Sequence, residues 1–235
     1  MSNPSVCPTP TGSAVTSNPA GQPYLDELTP IAEYMAREIS TNLRSRDVRA
    51  MKHLNHSADY FLNHARELKS WGLGELLDWG KDKAKGLTAR EAAMMIWTMK
   101  VAQDSSWDHK PVISRCFHPR DPQEQQYHAW KDRRYFYDIW SNIHYGFIGA
   151  ASGFTNSQLS DGAGLEQIGS TLFNLKWPAR EGIPTGRLRD FDGVNDRKSV
   201  QLGIDLYAKY PVGPSAKALV DSILKSNILF YPPKP

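Results

Sequence analysis

The sequence predicts a mainly α protein: a single compact helical domain with long loops and room for one short β hairpin. Two observations support this prediction. Apolar residues recur at three- and four-residue intervals over several long segments, which is typical of amphipathic helices. Between those segments, prolines and glycines gather in polar stretches that interrupt the helical period. A chain of 235 residues is long enough to bury one full core, so we expect one domain.

The predicted domain organisation has three parts. Residues 1–23 are rich in Pro, Ser, Thr, Gly and Asn, and they hold almost no bulky apolar side chain. Such a segment buries too little surface to offset its ordering entropy, which predicts a flexible polar leader. The main domain is expected over residues 24–212. Residues 213–235 are expected to form a C-terminal helix and a proline-rich tail that packs on the domain or extends it.

The first helices are predicted from periodicity and from their ends. Thr29-Pro30 supplies a cap followed by proline at the first helical position, and the apolar face that follows comprises Leu28, Ile31, Ala32, Met35 and Ile39. A second helix is predicted over residues 46–71, ended by Gly72 and Gly74. An amphipathic piece is expected over residues 74–85.

The middle of the chain alternates between helix and loop. A capping box at residues 88–91 predicts a helix through Val101. Residues 103–135 are dense in charge, aromatics and histidine, and prolines 111, 119 and 122 interrupt them, which predicts a long and often functional loop. The weak alternation of residues 133–137 allows a short strand.

A helix dense in small residues is predicted within residues 137–154, and Ser141 is a candidate for its N-cap. Gly146, Gly149 and Gly153 recur at helical spacing, so another backbone could approach this helix closely. The segment 159–168 and a glycine- and proline-rich connector follow this helix. A further helix is predicted over residues 196–209, and a last one from the cap Ser215 to residue 225.

The charge, the cysteine content and the hydropathy of the chain exclude several classes of protein to which it could belong. The formal net charge of +3 is too small for a dedicated nucleic-acid binder, although it tolerates a polyanion. Cys7 and Cys116 fit neither a disulfide framework nor a zinc knuckle, which predicts folding in a reducing compartment. There is no uninterrupted apolar stretch of membrane-spanning length and no secretory signal pattern. We therefore expect a protein made in the cytoplasm, which a specialised machine must carry if it leaves the cell.

One candidate cluster for catalysis lies at residues 107–111. Asp108, His109 and Lys110 place three ionisable types in three positions, which suits proton transfer and the stabilisation of developing negative charge. Because Lys110 precedes Pro111, it is biased toward extended backbone, so Asp108 and Lys110 should project to one side and His109 to the other. The alternative is a solvated group of loop charges.

A second candidate cluster contains Asp138, Asn142 and His144. If Ser141 is the N-cap, His144 occupies the third helical position, where the helix dipole favours the neutral imidazole of a general base. Asp138 and Asn142, four residues apart, could meet on one face, and the three residues form one site only if the helix starts near Ser141. The alternative is that His144 forms a hydrogen bond inside a polar patch of the core.

Other polar residues favour structural roles. His53, His56 and His64 lack a helical metal motif, and Asp190, Asp192 and Asp196 resemble helix caps more than a calcium loop. We expect no cofactor, and the pattern leaves a divalent ion open. Nucleophilic catalysis by serine or cysteine finds no support in the sequence.

Four blocks of sequence resemble the polymorphic-toxin type 44 family of bacteria: WDHKP at 107–111, YDIWSNIHYGFIGAASGF at 137–154, DGAGLEQI at 161–168 and LGIDLY at 202–207. The resemblance spans roughly residues 25–210 with the blocks in order. It implies a toxin module used against competing bacteria, delivered by a specialised secretion system and paired with an immunity protein. It also implies the ribonucleolytic activity proposed for that family.

Two hydrolytic mechanisms and one non-enzymatic role follow from these residues. The favoured activity is that of a ribonuclease acting inside the target cell, in which His144 and His109 would transfer protons and Lys110 would stabilise the phosphate, without metal. In a cell-wall glycan hydrolase, Asp108 or Glu166 would be the acid and Asp138 the second carboxylate. The substrate-binding candidates are Trp107, Trp140, Tyr145 and Glu166. The third reading is a helical module that binds a partner or disrupts membranes.

Overall fold

The computed structural model describes residues 7–8, 15–17, 23–56, 89–102, 104–119, 126–160, 194–226 and 228. Within these ranges the chain forms eight helices and two small antiparallel sheets, so the mainly α class is confirmed. The helices are α1 (Leu28–Leu43), α2 (Arg46–His56), α3 (Ala89–Val101), α4 (Lys110–Cys116), α5 (Ile139–Ala151), α6 (Asn156–Ser160), α7 (Val194–Lys209) and α8 (Ala216–Lys225). The strands are β1 (Val15–Ser17), β2 (Pro23–Leu25), β3 (Tyr127–Trp130) and β4 (Arg133–Phe136). None of the helices in these ranges is both long and apolar enough to cross a bilayer.

Helix α5 is the centre of the fold, because every residue in it except Ala150 is buried. It packs along α7 on one side and contacts α1, α2 and α6 on others. A helix that is apolar around its whole circumference must be enclosed in this way. The polar residues near its beginning are therefore carried into the interior.

The contact between α5 and α7 depends on two glycines that face the opposing backbone. A Cβ atom on Gly146 would overlap the carbonyl oxygen of Val200, and one on Gly203 would overlap the carbonyl oxygen of Ile143. The close backbone approach predicted for the small-residue helix is confirmed at Gly146.

Helix α1 begins at Leu28, one residue before the predicted cap Thr29. The capping group is the carboxylate of Asp26, whose Oδ1 accepts hydrogen bonds from the backbone nitrogens of Leu28 at 3.1 Å and Thr29 at 2.9 Å. The Thr29 hydroxyl donates to Asp26 Oδ2 at 2.7 Å. The predicted cap was therefore wrong, because an acidic residue three positions earlier in the chain satisfies the free amides.

Several predicted helices are confirmed over the ranges that the structure describes. Helix α3 and helix α7 match their predicted segments, and Ser215 caps α8 by accepting a hydrogen bond from the Ala218 nitrogen at 3.1 Å. Helix α2 matches the first part of the predicted second helix. Residues 57–71, the piece at 74–85 and the cap at Thr88 lie outside the described residues, as does most of the segment 159–168.

The predicted hairpin is present, and it is bound to the start of α1. β3 pairs with β4 in antiparallel register, Tyr127 opposite Phe136. Glu27 accepts a hydrogen bond from the Ala129 nitrogen through its Oε2 atom at 2.7 Å, and its own nitrogen donates to the Ala129 oxygen at 2.9 Å. The long loop predicted over residues 103–135 is wrong at Pro111, which lies in the first turn of α4. Proline is compatible with that position because the first amides of a helix have no intrahelical acceptor.

A disulfide joins Cys7 to Cys116, the last residue of α4. The prediction that these two cysteines form no disulfide was wrong, because spacing along a chain carries no information on residues that the fold brings together. In the predicted leader, β1 pairs with β2, so the described residues of that segment are tied to the domain at two places. This differs from the flexible leader that composition predicts.

Candidate functional site

The two clusters singled out in the sequence meet where α4 and α5 begin. His109 is the N-cap residue of α4, and its backbone nitrogen donates to the Ser141 hydroxyl of α5 at 3.2 Å. Asp138, not Ser141, is the N-cap residue of α5, so the predicted start of that helix was wrong. The hydroxyl of Ser141 instead binds the backbone nitrogen of His109, the residue that precedes the neighbouring helix. His144 therefore lies in the second turn, where the dipole argument for a neutral imidazole no longer applies.

The side chains of His109 and His144, the core pair, lie against each other. Their ring centroids are 4.3 Å apart at an interplanar angle of 77°. His109 is 2% exposed and His144 is 0% exposed. The convergence of the two clusters is thus present, but both imidazoles are covered in this conformation.

Helix α1 supplies a polar partner to each member of the core pair. The Tyr34 hydroxyl lies 2.8 Å from His109 Nδ1, and the Asn42 Nδ2 atom lies 3.0 Å from His144 Nε2. Because an amide nitrogen can only donate, Nε2 of His144 accepts, and the neutral ring carries its proton on Nδ1. Burial, and then the charge of Glu38, raises the pKa of Tyr34, so its phenol stays protonated.

These α1 residues were not predicted from the sequence, although a signal for Asn42 was present. Asn42 follows Ile39 by three positions and Met35 by seven, so it continues the apolar face of the helix. A polar residue on a buried face needs a hydrogen-bonding partner inside the protein. Periodicity could have identified Asn42 as buried, but not its partner His144, which is 102 residues away.

The accessible edge of the site, the rim, consists of Asp108, Lys110, Tyr137 and Asp138. Lys110 Nζ lies 3.6 Å from Asp138 Oδ2, and these side chains are 32% and 13% exposed. Burial raises the pKa of Tyr137, and the charges of Asp138 and then Asp108 raise it further. The Tyr137 phenol is therefore neutral and lies close enough to both carboxylates to respond to them.

Asp108 also organises the start of α4. Its Oδ1 accepts from the Lys110 nitrogen at 3.3 Å, and its Oδ2 accepts from the Asp104 nitrogen at 3.1 Å. Asp108 and Lys110 are half-buried and His109 is buried, so the predicted division into an outer and an inner side is found. The reason given for it was wrong, because Lys110 is helical and not extended.

Asn142 belongs to the structural support of the site. Its Nδ2 donates to Asp196 Oδ1 at 2.9 Å, which ties the start of α5 to the first turn of α7. Asp138 is paired with Lys110 instead. Asp138, Asn142 and His144 were predicted as one group, but each binds a different partner. These partners are Lys110, Asp196 and Asn42.

The aromatic residues predicted to bind substrate lie in the core. Trp107, Trp140 and Tyr145 are 4%, 1% and 1% exposed. Trp107 contacts the edge of His144 at a centroid distance of 6.2 Å, and Tyr145 packs on Trp97 at 4.9 Å. In this conformation they support the core pair and offer no open face for stacking on a substrate. The remaining candidate, Glu166, lies outside the described residues.

No group of three or more His, Cys, Asp or Glu side chains suited to a metal ion occurs in the part of the chain that the structure describes. The expectation of a site without a cofactor stays a prediction. His53 and His56 lie on α2 and, like Asp196, belong to no such group.

Comparison with known proteins gives one match. The model of a family described as bacterial toxin 44 matches residues 96–209, a segment that contains α4, the hairpin, α5 and α7. Both the core pair and the rim lie within it. No curated protein and no solved structure matches the chain.

Proposed function

Because residues 96–209 belong to the bacterial toxin 44 family, we propose that this chain is an antibacterial effector that hydrolyses cell-wall glycan. Asp108 and Asp138 would be its two carboxylates. The observation that carries this proposal is the position of the titratable groups: carboxylates occupy the accessible rim, while both histidines are covered.

The rim has the functional groups that glycoside hydrolysis requires. That reaction uses one carboxylic acid to protonate the leaving oxygen and one carboxylate to stabilise or attack the sugar carbon. The ammonium of Lys110 at 3.6 Å favours an ionised Asp138, which suits the second role. Asp108 would then be the acid. The neutral phenol of Tyr137 can donate a hydrogen bond to a carboxylate or to a sugar hydroxyl.

The charge near the start of α5 also favours a neutral substrate. Asp138, Asp108 and Asp196 place three carboxylates around its first turn, and the ammonium of Lys110 is paired with one of them, Asp138. Proteins that bind nucleic acid derive most of their affinity from basic groups that neutralise phosphates. An acidic rim opposes that attraction, whereas a glycan without charge on its sugar rings has no such penalty.

The disulfide between Cys7 and Cys116 supports an extracytoplasmic site of action. Disulfides persist in oxidising compartments such as the periplasm and are rare in the cytosol. We propose that a specialised secretion machine delivers the toxin to the envelope of the target cell. We also propose that the producing cell makes an immunity protein against it.

Expression in two compartments tests the substrate class. The chain should be harmless in the cytoplasm of a sensitive bacterium and should cause lysis once an export signal is attached. Purified protein should release soluble muropeptides from isolated cell walls, and Asp138→Asn should release them at least about a hundredfold more slowly. Killing from the cytoplasm together with inert behaviour toward cell walls would contradict the proposal.

A ribonuclease is the second candidate, and the observation that favours it is the contact within the core pair. Two imidazoles with polar partners on α1 could act as the acid and base of RNA cleavage. At 4.3 Å between centroids there is no space for a phosphate between the rings, so this activity requires the site to open. It predicts degradation of RNA by the purified protein in the presence of a metal chelator, and toxicity from the cytoplasm.

A further inference from the structure

We infer that the disulfide between Cys7 and Cys116 is a redox switch that fixes α4, and with it the rim, only after the toxin has left a reducing cytoplasm. The inference concerns regulation of the proposed site and therefore rests on the proposed function for its biological meaning. Its physical content, a link between thiol oxidation and the order of α4, can be measured without any toxicity assay.

Helix α4 is too short to be stable without tertiary contacts. It has seven residues, and isolated helices of that length do not persist in water. Its inner side is anchored in the core by Ile113, which is 0% exposed, and by Phe117 just beyond its end. The Ser141 hydroxyl binds its N-terminus, and the ring of His128 binds the Phe117 oxygen at 2.6 Å. The disulfide is a further attachment at its C-terminal end.

At its N-terminal end, α4 carries one residue of the rim and is preceded by one residue of the core pair. Lys110 pairs with Asp138 in the rim, and His109 at the N-cap belongs to the core pair. Opening of α4 would therefore separate the ammonium from the carboxylate and uncover the core pair in one movement. An attachment at Cys116 restrains both contacts because the whole element spans only about two turns.

The bond can be formed and broken by enzymes of the oxidising compartment. Cys7 is exposed and Cys116 is half-buried, so the pair is accessible from solvent. Oxidation proceeds by exchange with an oxidising protein disulfide: the two thiols lose two protons and two electrons, and the oxidant leaves as a dithiol. The linked residues are 109 apart in sequence, and closing so long a loop restricts the unfolded chain strongly.

Arg115 provides a local reporter, because it is an exposed trypsin site directly before Cys116. Trypsin cleaves a helix only when the helix opens, so the rate of cleavage measures the population of the open form. The Lys110–Pro111 bond is resistant to trypsin and does not interfere. Lys217 on α8, which is 83% exposed, serves as the internal reference.

The experiment is limited trypsin digestion of the full chain, followed by mass spectrometry, with and without a thiol reductant. Reduction of the wild type should raise cleavage after Arg115 by about tenfold or more while cleavage after Lys217 changes little. Cys7→Ser should show the high rate with or without reductant, which controls for effects of the reductant itself. Since Cys7 is exposed, this substitution removes no core contact.

Three results would overturn the inference. The first is equal cleavage after Arg115 in oxidised and reduced wild type. The second is an equal rise after Arg115 and Lys217, because that would show global destabilisation and no local control of α4. The third is the recovery of both cysteines as free thiols from protein exported to an oxidising periplasm. A toxin that proves not to cut cell walls would still give the expected digestion pattern if the switch exists.

Discussion

The imidazole of His144 meets that of His109 edge to face, and each ring is held from the far side by a residue of α1. Three elements, α1, α4 and α5, are thereby joined at one buried polar point. Buried polar groups of this kind are costly unless they are satisfied, and they specify the arrangement of the elements that carry them. The core pair therefore contributes to the fold whatever its part in the chemistry.

Replacement of His144 separates its contribution to the stability of the fold from its contribution to catalysis. His144→Ala should lower the free energy of unfolding by about 2–4 kcal/mol, because it leaves a cavity and removes the acceptor of the Asn42 amide. His144→Gln should lose less, since its side-chain oxygen can accept the same hydrogen bond. Urea unfolding of both variants measures the difference, with His53→Ala on the exposed side of α2 as the control.

The activity of His144→Gln then distinguishes the two candidate functions. Cell-wall hydrolysis by the rim should survive in this variant, because its carboxylates are unchanged. Ribonuclease activity should be lost, because glutamine cannot act as a general base. Loss of muropeptide release in a stable His144→Gln protein would count against the assignment of catalysis to the rim.

Asp138→Asn tests the rim directly. The substitution keeps the size of the side chain and removes the charge that pairs with Lys110. We expect a decrease in the rate of glycan cleavage of at least about a hundredfold, as for the loss of a catalytic acid or base. Stability should change by only about 1 kcal/mol or less, because the pair is partly exposed to solvent.

The matched control is Asp132→Asn, the same change at an exposed turn between β3 and β4. It should leave both the rate and the stability unchanged within error. If Asp138→Asn cleaves cell walls as fast as the control does, Asp138 has no catalytic role. Circular dichroism and urea unfolding confirm that any loss of rate occurs in folded protein.

The sequence predicted the order of the helices well, because their apolar periodicity survives in the structure. It also identified both clusters that meet at the site. It was wrong about the boundaries that decide the site's geometry: Asp26 replaces Thr29 as the cap of α1, and Asp138 replaces Ser141 at the start of α5. Several residues near each helix end could act as caps, and tertiary contacts choose among them.

The sequence could not identify pairs of contacting residues that lie far apart along the chain. Asn42 and His144 are 102 residues apart, and Cys7 and Cys116 are 109 apart. Residue type and local spacing carry no information on such pairs. The sequence also did not predict which side chains are buried. Tryptophan is a residue type that suits a sugar-binding cleft, but Trp107 and Trp140 are buried in the core.

Gly146→Ala should be among the most damaging single-methyl changes in the protein. The added Cβ would overlap the Val200 carbonyl oxygen, which belongs to the backbone of α7 and cannot rotate away. Alanine is favoured over glycine in a helix by roughly 1 kcal/mol, so simple propensity predicts stabilisation. We expect instead a loss of about 2–4 kcal/mol, because α5 and α7 must move apart. Thermal and urea unfolding decide the sign.

Ala208→Ser, an exposed small change on α7, is the control for Gly146→Ala and should alter stability by about 0.5 kcal/mol or less. Gly203→Ala approaches the same contact from the other helix, where its Cβ would overlap the Ile143 oxygen. A Gly146→Ala protein as stable as the wild type would mean that the two backbones are not in contact.

The ring of His128 predicts how stability depends on pH. Its Nε2 donates to the Phe117 oxygen at 2.6 Å, so the neutral ring leaves Nδ1 unprotonated, and Nδ1 has no hydrogen-bond partner among the described residues. Burial lowers the pKa of His128, and this outweighs both the hydrogen bond to Phe117 and the charge of Glu27, which raise it.

A histidine whose pKa is lower in the folded state binds fewer protons there than in the unfolded chain. Stability therefore falls as pH decreases below the unfolded pKa of about 6.5, with a slope of at most about 1.4 kcal/mol per pH unit. His128→Asn keeps a donor for the Phe117 oxygen and cannot titrate. It should be less stable than the wild type at pH 7.5, and the gap should narrow at pH 5.5, because only the wild type loses the contribution of His128. Urea unfolding at the two pH values measures this gap. A gap that widens on acidification would show that His128 is stabilised in its charged form and would reverse the sign assigned here.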